Sequence, residues 1–451
     1  MYLVETKAQI KRLKLEKSIE NYFLSQFENQ DFIYTNNAGL ITACVKVNKL
    51  SNGRSREKTR TQAFKVYEVF KGLIKDLQIE AEDAEHIELF AEGLGLSAYS
   101  FHKYLAKSPD TKWKKASTSN KKANLKEVNT IVEATNWARD LVNEPVSYLT
   151  AEQLAKDVKA KCSEVGIKTE ILKKAKIESL KMGGLLAVNK GSIDPPTFSI
   201  LEWKPANAVN KKPIVLVGKG IVYDTGGLSL KPTAGSMDIM KCDMGGAAAM
   251  AGTIYGAAKL KLPLHIITLL PSTDNRPGGK AYAPGDVITM FDKTTVEILN
   301  TDAEGRMVLA DALAYANKYK PELVIDAATL TGAAMRAVGK YASVMMGNAN
   351  QKEMDEMTDA SDYTFDRVIQ FPFWEEYLEE MKSPIADLKN LGGAEAGMIT
   401  AGKFLEHFTK YPYIHLDIAG PAYHRSRDNY RGQGGSGAGV RLLIEFLKRR
   451  V

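Results

Sequence analysis

A chain of 451 residues with 44% hydrophobic and 25% charged side chains has an ordinary globular composition but is too long for one core, so two domains, one of them large, are expected. No window approaches the roughly 18 apolar residues of a membrane span, Met1–Ile10 followed by Lys11-Arg12-Leu13-Lys14 has no uninterrupted apolar run of a signal peptide, and Cys44, Cys162 and Cys242 are too few and scattered for a disulfide framework, which together point to a reducing, cytoplasmic location. The net charge of +7 is uneven, residues 1–130 carrying +6 of it, but these basic clusters lack interleaved aromatics and any nucleic-acid motif, so a solvated surface is the better reading than a nucleic-acid interface.

Residues 1 to about 105 mix short strand-like runs, such as Leu40–Val45, with amphipathic helical stretches, such as Thr61–Asp76, and read as a small α/β domain. Lys107–Lys126 is polar and lysine-rich, with Ser108-Pro109-Asp110 and Ser117-Thr118-Ser119-Asn120, which predicts an exposed connection and a domain boundary. The expected division is therefore 1–130 and 131–451. A helical stretch then runs to Val142 and stops before Pro145, because the residue preceding proline disfavours the helical region. Beyond it, Ile214–Val217, Leu264–Leu270, Thr295–Leu299 and Leu323–Asp326 are buried-strand candidates, separated by helical segments such as Gly245–Lys259 and Met307–Tyr319. Strands spaced by crossover helices predict a mostly parallel sheet flanked by helices, with ligands beyond the strand C-termini.

Between a strand-like and a helix-like run lies Asn300-Thr301-Asp302-Ala303-Glu304-Gly305-Arg306. Its two acids, at i and i+2, would leave a strand end on one side, although a helix N-terminus enriched in acid explains the heptapeptide equally well on its own. Upstream, Ile214–Val217 runs into Gly218-Lys219-Gly220-Ile221-Val222-Tyr223-Asp224-Thr225-Gly226-Gly227-Leu228-Ser229-Leu230-Lys231. A nucleotide loop does not fit: the third glycine of a dinucleotide fingerprint is Tyr223, and Lys219 is followed by glycine where a phosphate loop needs Ser or Thr. What stands out is a lysine and an acid five residues apart, a Gly-Gly pair and a second lysine. Further on, Asp243 opens the small-residue run Met244-Gly245-Gly246-Ala247. Four carboxylates converging from Asp224, Asp243, Asp302 and Glu304 would repel by about 4 kcal/mol per close pair at an effective dielectric of about 20, so such a cluster needs cations. Each acid alone could be a cap, and a glycosidase needs only two; the number of acids and the flanking glycines favour a paired site for magnesium, manganese or zinc. None of the six histidines lies in these segments, which excludes a histidine-rich zinc site here.

These blocks resemble the leucyl aminopeptidases, hexameric cytosolic exopeptidases with two zinc or manganese ions. The heptapeptide Asn300–Arg306 matches that family's signature in full. Gly218-Lys219-Gly220 with Asp224 and Gly226-Gly227, Asp243-Met244-Gly245-Gly246-Ala247, Ala328-Thr329-Leu330-Thr331-Gly332-Ala333 and His415-Leu416-Asp417-Ile418-Ala419-Gly420-Pro421 match as well, with Asn143-Glu144-Pro145 and Leu149-Thr150 echoing the start of the catalytic domain. The similarity runs from about residue 130 to the end. Residues 1–130 show little of it and correspond by position to an assembly or regulatory domain.

Carried over residue by residue, the resemblance implies metal ligands at Lys219, Asp224, Asp243, Asp302 and Glu304, with Asp224 and Glu304 bridging two divalent ions (zinc or manganese, magnesium or cobalt also being compatible). A lysine ligand must lose its proton. Moving its pKa from about 10.4 to below about 7 costs roughly 4 to 5 kcal/mol, which an adjacent dication could offset. Lys231 would polarise the scissile carbonyl and hold its oxyanion, and Arg306 would hold a bicarbonate that accepts a proton. The implied reaction is release of the N-terminal residue of a peptide, a bridging hydroxide attacking the first carbonyl while one metal holds the free amine. Met240, Thr329, Gly332, Ala419 and Ala422 would line an apolar pocket suited to Leu or Met. The loop Pro232–Cys242 is one residue longer than in typical members, which leaves the ligand set intact but alters the pocket rim. Asp238 in it reads as a turn or helix cap, and Cys242 as an inert small residue that chain alternation points away from the metals. The implied partners are peptides and five further copies of the chain, with no membrane. Alternatives within the same family are a member that also binds DNA, or one specialised for dipeptides such as Cys-Gly.

Overall fold

The structure, a computed structural model, describes residues 1–37, 39–107 and 113–451. The expected loop Ser108-Pro109-Asp110 lies outside them. Two compact units are present. One comprises Met1–Glu133 with Asp362–Phe365 and Ser426–Gly432; the other comprises Ala134–Ser361, Asp366–Arg425 and Gln433–Val451.

In the first unit Leu40–Lys46 pairs in parallel with Tyr2–Val4 and antiparallel with Phe32–Asn37, and its Val45, with Val47 just beyond its end, joins Val66, Phe70, Ile87, Phe90 and Leu94 in one core. The helix expected over Thr61–Asp76 runs instead from Gly53 to Phe70. Asn52 starts it early, its side chain accepting from Ser55 N, a cap that outweighs the polar first turns. Lys115–Ser117, inside the expected exposed connection, is a short strand paired with Asp76–Gln78. The later segments are held by specific bonds: Gly53 N donates to Asp362 Oδ2 (2.8 Å), Arg60 Nη2 to Tyr363 O (3.1 Å) and Tyr430 Oη to Glu57 (2.7 Å).

The second unit is built on a nine-stranded sheet in the order Val368–Gln370, Ser343–Gly347, Tyr413–Asp417, Leu323–Ala328, Ile214–Gly218, Ile266–Asn275, Thr197–Trp203, Lys168–Lys173, with Gly220–Asp224 added beside the far end of Ile266–Asn275. The four central strands pair in parallel and are buried along their length, whereas Thr197–Trp203, Lys168–Lys173 and Ser343–Gly347 bring antiparallel pairings toward the edges. This gives the mixed α/β architecture expected of continuous apolar runs separated by helices. Helix Gly245–Lys259 and helix Glu304–Ala316 are buried almost throughout; neither needs a polar face, because both are covered on all sides.

Thr295–Leu299 departs from expectation. Its strand is only Thr295–Glu297, and it belongs to a separate three-stranded sheet with Val287–Thr289 and Leu388–Lys389. The acids of the following heptapeptide therefore do not leave an edge of the main sheet. β-branched alternation identifies a strand but carries no information about which sheet it joins.

Asp311, in the middle of the Glu304–Ala316 helix, ties this layer together. Its Oδ2 accepts from Leu185 N and its Oδ1 from Phe291 N, both at 2.9 Å. Burial pushes its pKa up to about 7 despite those donors. In Asp311→Asn one of the two buried N–H groups faces an amide NH2, and the variant is expected to lose about 1–3 kcal/mol of stability by denaturant titration. Because the folded pKa lies above the unfolded one, Asp311 contributes stability at low pH that is lost as pH rises toward about 7, and the deficit of the variant is expected to be larger at pH 5 than at pH 8.

Candidate metal centre

Ile214–Gly218 and Gly220–Asp224 are nearly one strand, both running parallel to Ile266–Asn275, interrupted at Lys219. At the interruption Lys219 N donates to Ala327 O, and Lys219 O accepts from Ala247 N at the start of the Gly245–Lys259 helix. The side chain turns inward there and lies over Gly305, where any Cβ would come within 2.5 Å of Lys219 Cε. Asp224 ends the second strand. Gly226 and Gly227 then take φ of +87° and +64°, which only glycine adopts freely, and reverse the chain so that Lys231 returns beside Asp224. Asp243 sits on the 3-10 helix Met237–Met244 that leads into Gly245–Lys259. Asp302 is in a turn, and Glu304 is the first residue of its helix. All of these lie beyond the C-terminal ends of the central parallel strands, where open α/β sheets bind ligands.

The two lysines and four carboxylates meet. Lys219 Nζ is 2.8 Å from Asp243 Oδ1 and 2.9 Å from Glu304 Oε1, and it also donates to Thr329 O at 2.9 Å. Lys231 Nζ is 2.8 Å from Asp224 Oδ2 and also pairs with Asp302. Among the described residues, Asp224, Asp302 and Glu304 are the one group of three whose ligand atoms all lie within 4.8 Å of one another. Four carboxylates against two ammonium groups leave the cluster short of positive charge. Burial, with Glu304 beside it, raises Asp224 to about 7 despite the lysines, and burial likewise raises Asp243 and Asp302. Burial disfavours both ammonium forms, but the surrounding acids outweigh it and hold Lys219 and Lys231 above the usual lysine value. Asp243 Oδ2 and Glu304 Oε2 are buried with no hydrogen-bond partner. Orphaned carboxylate oxygens in a negatively charged cluster are the donor set of hard or borderline divalent ions.

Arg306 is 5% exposed, and its Nε and Nη1 have no hydrogen-bond partner; burial pulls its pKa down to about 10, opposed by Glu304 and Asp417. Thr329 turns its hydroxyl to the cluster, donating to Asp243 Oδ1 (2.8 Å) and Asp243 O (3.0 Å), so it is as much a support of Asp243 as a wall. Its methyl faces the other way: a Cβ at Gly245 would meet Thr329 Cγ2 at 3.3 Å, Ala422 Cβ at 3.5 Å and Ile418 Cδ1 at 3.8 Å. The structure thus joins Thr329 and Ala422, with Ile418 added. Met240 is half-buried on the 3-10 helix, Ala419 is half-buried after the Tyr413–Asp417 strand, and Gly332 is exposed at the start of helix Gly332–Val338.

Two readings of the neighbouring loop are refined. Asp238 lies in the first turn of the 3-10 helix Met237–Met244, where its carboxylate accepts from the backbone of Gly235, and it also pairs with Arg425 through both oxygens at 3.1 and 3.2 Å. Cys242 lies on the 3-10 helix, so strand alternation does not orient it; burial, which drives its pKa up to about 12, is what makes it inert.

The sequence reading missed the residues that hold the ligands in place. Asn275 Nδ2 donates to Asp224 Oδ1 (2.8 Å) and to Thr301 O (3.0 Å), where Tyr282 Oη also donates. Asn390 Oδ1 accepts from Leu299 N while its Nδ2 donates to Asn300 O, and Asn300 Oδ1 accepts from Asp302 N. No motif or spacing marked Asn275, Tyr282 or Asn390, since each acts from a distant segment.

The fold and cluster define an α/β protein with a carboxylate-lysine centre at its strand ends. Residues 136–444 match the model of the cytosol aminopeptidase family, catalytic domain, and the chain belongs to that family. It is 49% identical over 313 residues to a probable cytosol aminopeptidase of Chloroherpeton thalassium, a match spanning 69% of this chain and 61% of the relative. To another probable cytosol aminopeptidase, from Geobacter sulfurreducens, it is 44% identical over 371 residues, spanning 80% of this chain and 74% of the relative. The match thus covers about three-fifths of the length of the first of these relatives. Among solved structures, the bottromycin maturation enzyme BotP in complex with Mn superposes with a TM-score of 0.87 at 30% identity, over 100% of this chain and 98% of that one. Among the described residues no helix is long and apolar enough to cross a membrane.

Proposed function

We propose that this chain is a metal-dependent aminopeptidase that releases N-terminal residues from peptides at a centre of two divalent ions. The observation that carries the reading is the convergence of Asp224, Asp243, Asp302 and Glu304 on two lysines, with buried carboxylate oxygens left without partners. Lys219, Asp224, Asp243, Asp302 and Glu304 would hold the ions, which supply Lewis acidity and an acidified water. In the metal-free form Lys219 and Lys231 stand as counter-cations to these acids; neutralising the acids would release Lys219 to act as a neutral amine ligand and free the Lys231 ammonium for the oxyanion of the scissile carbonyl. Arg306, with its Nε and Nη1 unpaired in a buried setting, fits a planar oxyanion such as bicarbonate, a proton acceptor beside the reacting water. Gly245, Thr329, Ala422 and Ile418 form an apolar wall for a Leu- or Met-like side chain, with Met240, Gly332 and Ala419 at its margins.

The Mn in the BotP complex supports manganese as one competent ion. A homo-hexamer in the cytosol, with the first unit serving assembly or regulation, completes the reading by family. In that unit Lys7 and Lys46 pair with Glu28, and Arg12 pairs with Glu82, which favours a solvated surface over nucleic-acid binding.

The test is metal analysis of the purified protein coupled to a panel of aminoacyl anilides. About two ions per chain and fastest turnover of Leu and Met anilides are expected. Activity confined to a dipeptide such as Cys-Gly would redirect the specificity, and hydrolysis by protein with no bound metal would overturn the reading.

A further inference from the structure

Helix Gly332–Val338 is held alongside the segment that carries Ile418 and Ala422 of the apolar wall. At its start Asp417 Oδ1 accepts from both Leu330 N (3.2 Å) and Ala419 N (3.1 Å). Thr331 Oγ1 donates to Asp417 Oδ2 at 2.7 Å and, as the N-cap, accepts from Ala334 N at 3.0 Å. Just past the helix the two chains run so close that a Cβ on Gly420 would lie 2.1 Å from Gly339 O. A side chain on the Gly332 face of this helix therefore stands at the margin of the proposed pocket.

Arg336 is such a side chain. It follows Gly332 by one turn on the same face, and helical side chains lean toward the N-terminus. Its guanidinium folds back accordingly, with Nη1 3.2 Å from where a Cβ on Gly332 would be. Arg336 is exposed, and among the described residues it makes no ion pair or hydrogen bond. The local sequence explains why. Residues 327–352 contain no Asp or Glu but do contain Arg336, Lys340 and Lys352. Of the elements packed on the helix, Gly339–Tyr341 and Ser343–Gly347 carry no acid. Glu406, in Gly397–Glu406, is already engaged by Lys403 Nζ at 2.7 Å and Asn348 Nδ2 at 2.8 Å. An unpaired arginine on an open surface would be ordinary; this one lies over a glycine beside an apolar wall, in a stretch free of acids.

We propose that Arg336 is a specificity-determining residue that lets the pocket for the first side chain take glutamate. The two methylenes of glutamate lie on Thr329, Ile418 and Ala422, and its carboxylate, at the position a methionine sulfur would take, pairs with the guanidinium, whose planar fork matches it. Aspartate is one methylene too short. The four acids of the centre would repel a further carboxylate, but the ions proposed there offset them. The inference rests on the aminopeptidase reading and adds an acidic first residue to the Leu- and Met-like ones.

The test compares glutamyl and glutaminyl anilides, alike in size and different in charge, on metal-loaded full-length protein. Arg336→Gln is expected to lower the ratio of kcat/KM for the glutamyl to the glutaminyl substrate about fivefold, the upper end of the usual range for an exposed ion pair. Arg336→Glu should lower it further, and Arg336→Lys should restore most of it. Raising the ionic strength from about 0.01 to about 1 M shortens the Debye length from about 30 to about 3 Å, which should shrink the ratio in the parent and hardly move it in Arg336→Gln. Replacing an exposed side chain without partners leaves the fold intact, so melting temperatures should match. Titration calorimetry with L-glutamate and L-glutamine, the two products, makes the same comparison without turnover. An unchanged ratio in Arg336→Gln, or loss of the same factor on both substrates, overturns the proposal. If Arg336 instead meets the carboxyl end of short peptides, Arg336→Gln will depress Leu-Gly relative to Leu-glycinamide and leave the glutamyl anilide untouched, which overturns it too. Failure of the metal-loaded parent to hydrolyse any anilide would sink the aminopeptidase reading, and the calorimetric preference for glutamate would then decide the role of Arg336 by itself.

Discussion

Exhaustive chelation is expected to abolish hydrolysis of leucine anilide, and added manganese or zinc to restore it. Lewis-acid stabilisation of this kind is worth several kcal/mol, and about 1.36 kcal/mol corresponds to tenfold in rate, so the loss should reach about a thousandfold or more. The readout need not be activity alone. Ions that bind the folded form at about a thousand times their Kd add about 4 kcal/mol per site, so the melting temperature should rise with metal in the parent and much less in Glu304→Ala. The pH dependence follows from the acids. In the metal-free form Asp224 is protonated below about 7, so ions must displace that proton, and affinity is expected to fall as pH drops below about 7. By the same linkage the metal-free protein loses the stability contributed by protonated Asp224 as pH rises through that range. Full turnover after chelation to less than one ion per ten chains would refute the assignment.

Lys231→Ala is expected to lower turnover by about 10²- to 10³-fold, the usual cost of removing one preorganised oxyanion donor, with metal content left near that of the parent. Lys231 is 14% exposed, the most accessible member of the lysine pair, and it reaches Asp224 and Asp302 from the Gly226-Gly227 turn rather than from the strand. On the proposed reading, ions that neutralised those acids would leave its ammonium free for the oxyanion of the scissile carbonyl. Lys219→Ala makes the contrast. That side chain is 3% exposed against Asp243 and Glu304, and its removal should cost metal content first. If Lys231→Ala also empties the site, its role is to hold the ligands together and not to stabilise charge on the substrate.

The candidate site was unusually legible because its chemistry is concentrated in short, ordered blocks. Asn300–Arg306 taken alone was ambiguous, since acids at a helix start are ordinary; Glu304 does begin a helix, and Asp302 does not end a strand of the main sheet. Its meaning came from Lys219, Asp224, Lys231 and Asp243 upstream, and these do converge on it. Less legible were elements whose limits depend on capping or on distant partners, such as the helix that starts at Gly53 because Asn52 caps it, and the strand Lys115–Ser117 that exists only because Asp76–Gln78 pairs with it.

By itself, the sequence determined the residue types of the cluster, the alternation of apolar runs and helices, and the family resemblance, all of which are local or ordered along the chain. Tertiary structure alone decided that Lys219 and Lys231 stand as counter-cations to four acids, that Arg306 is buried with two unpaired N–H groups, and that Asn275, Tyr282 and Asn390 brace the ligand loops. The physical reason is that the bracing and charge-balancing contacts join groups up to 91 residues apart in the chain, and periodicity, which reads neighbours within a turn or two, carries no record of such meetings.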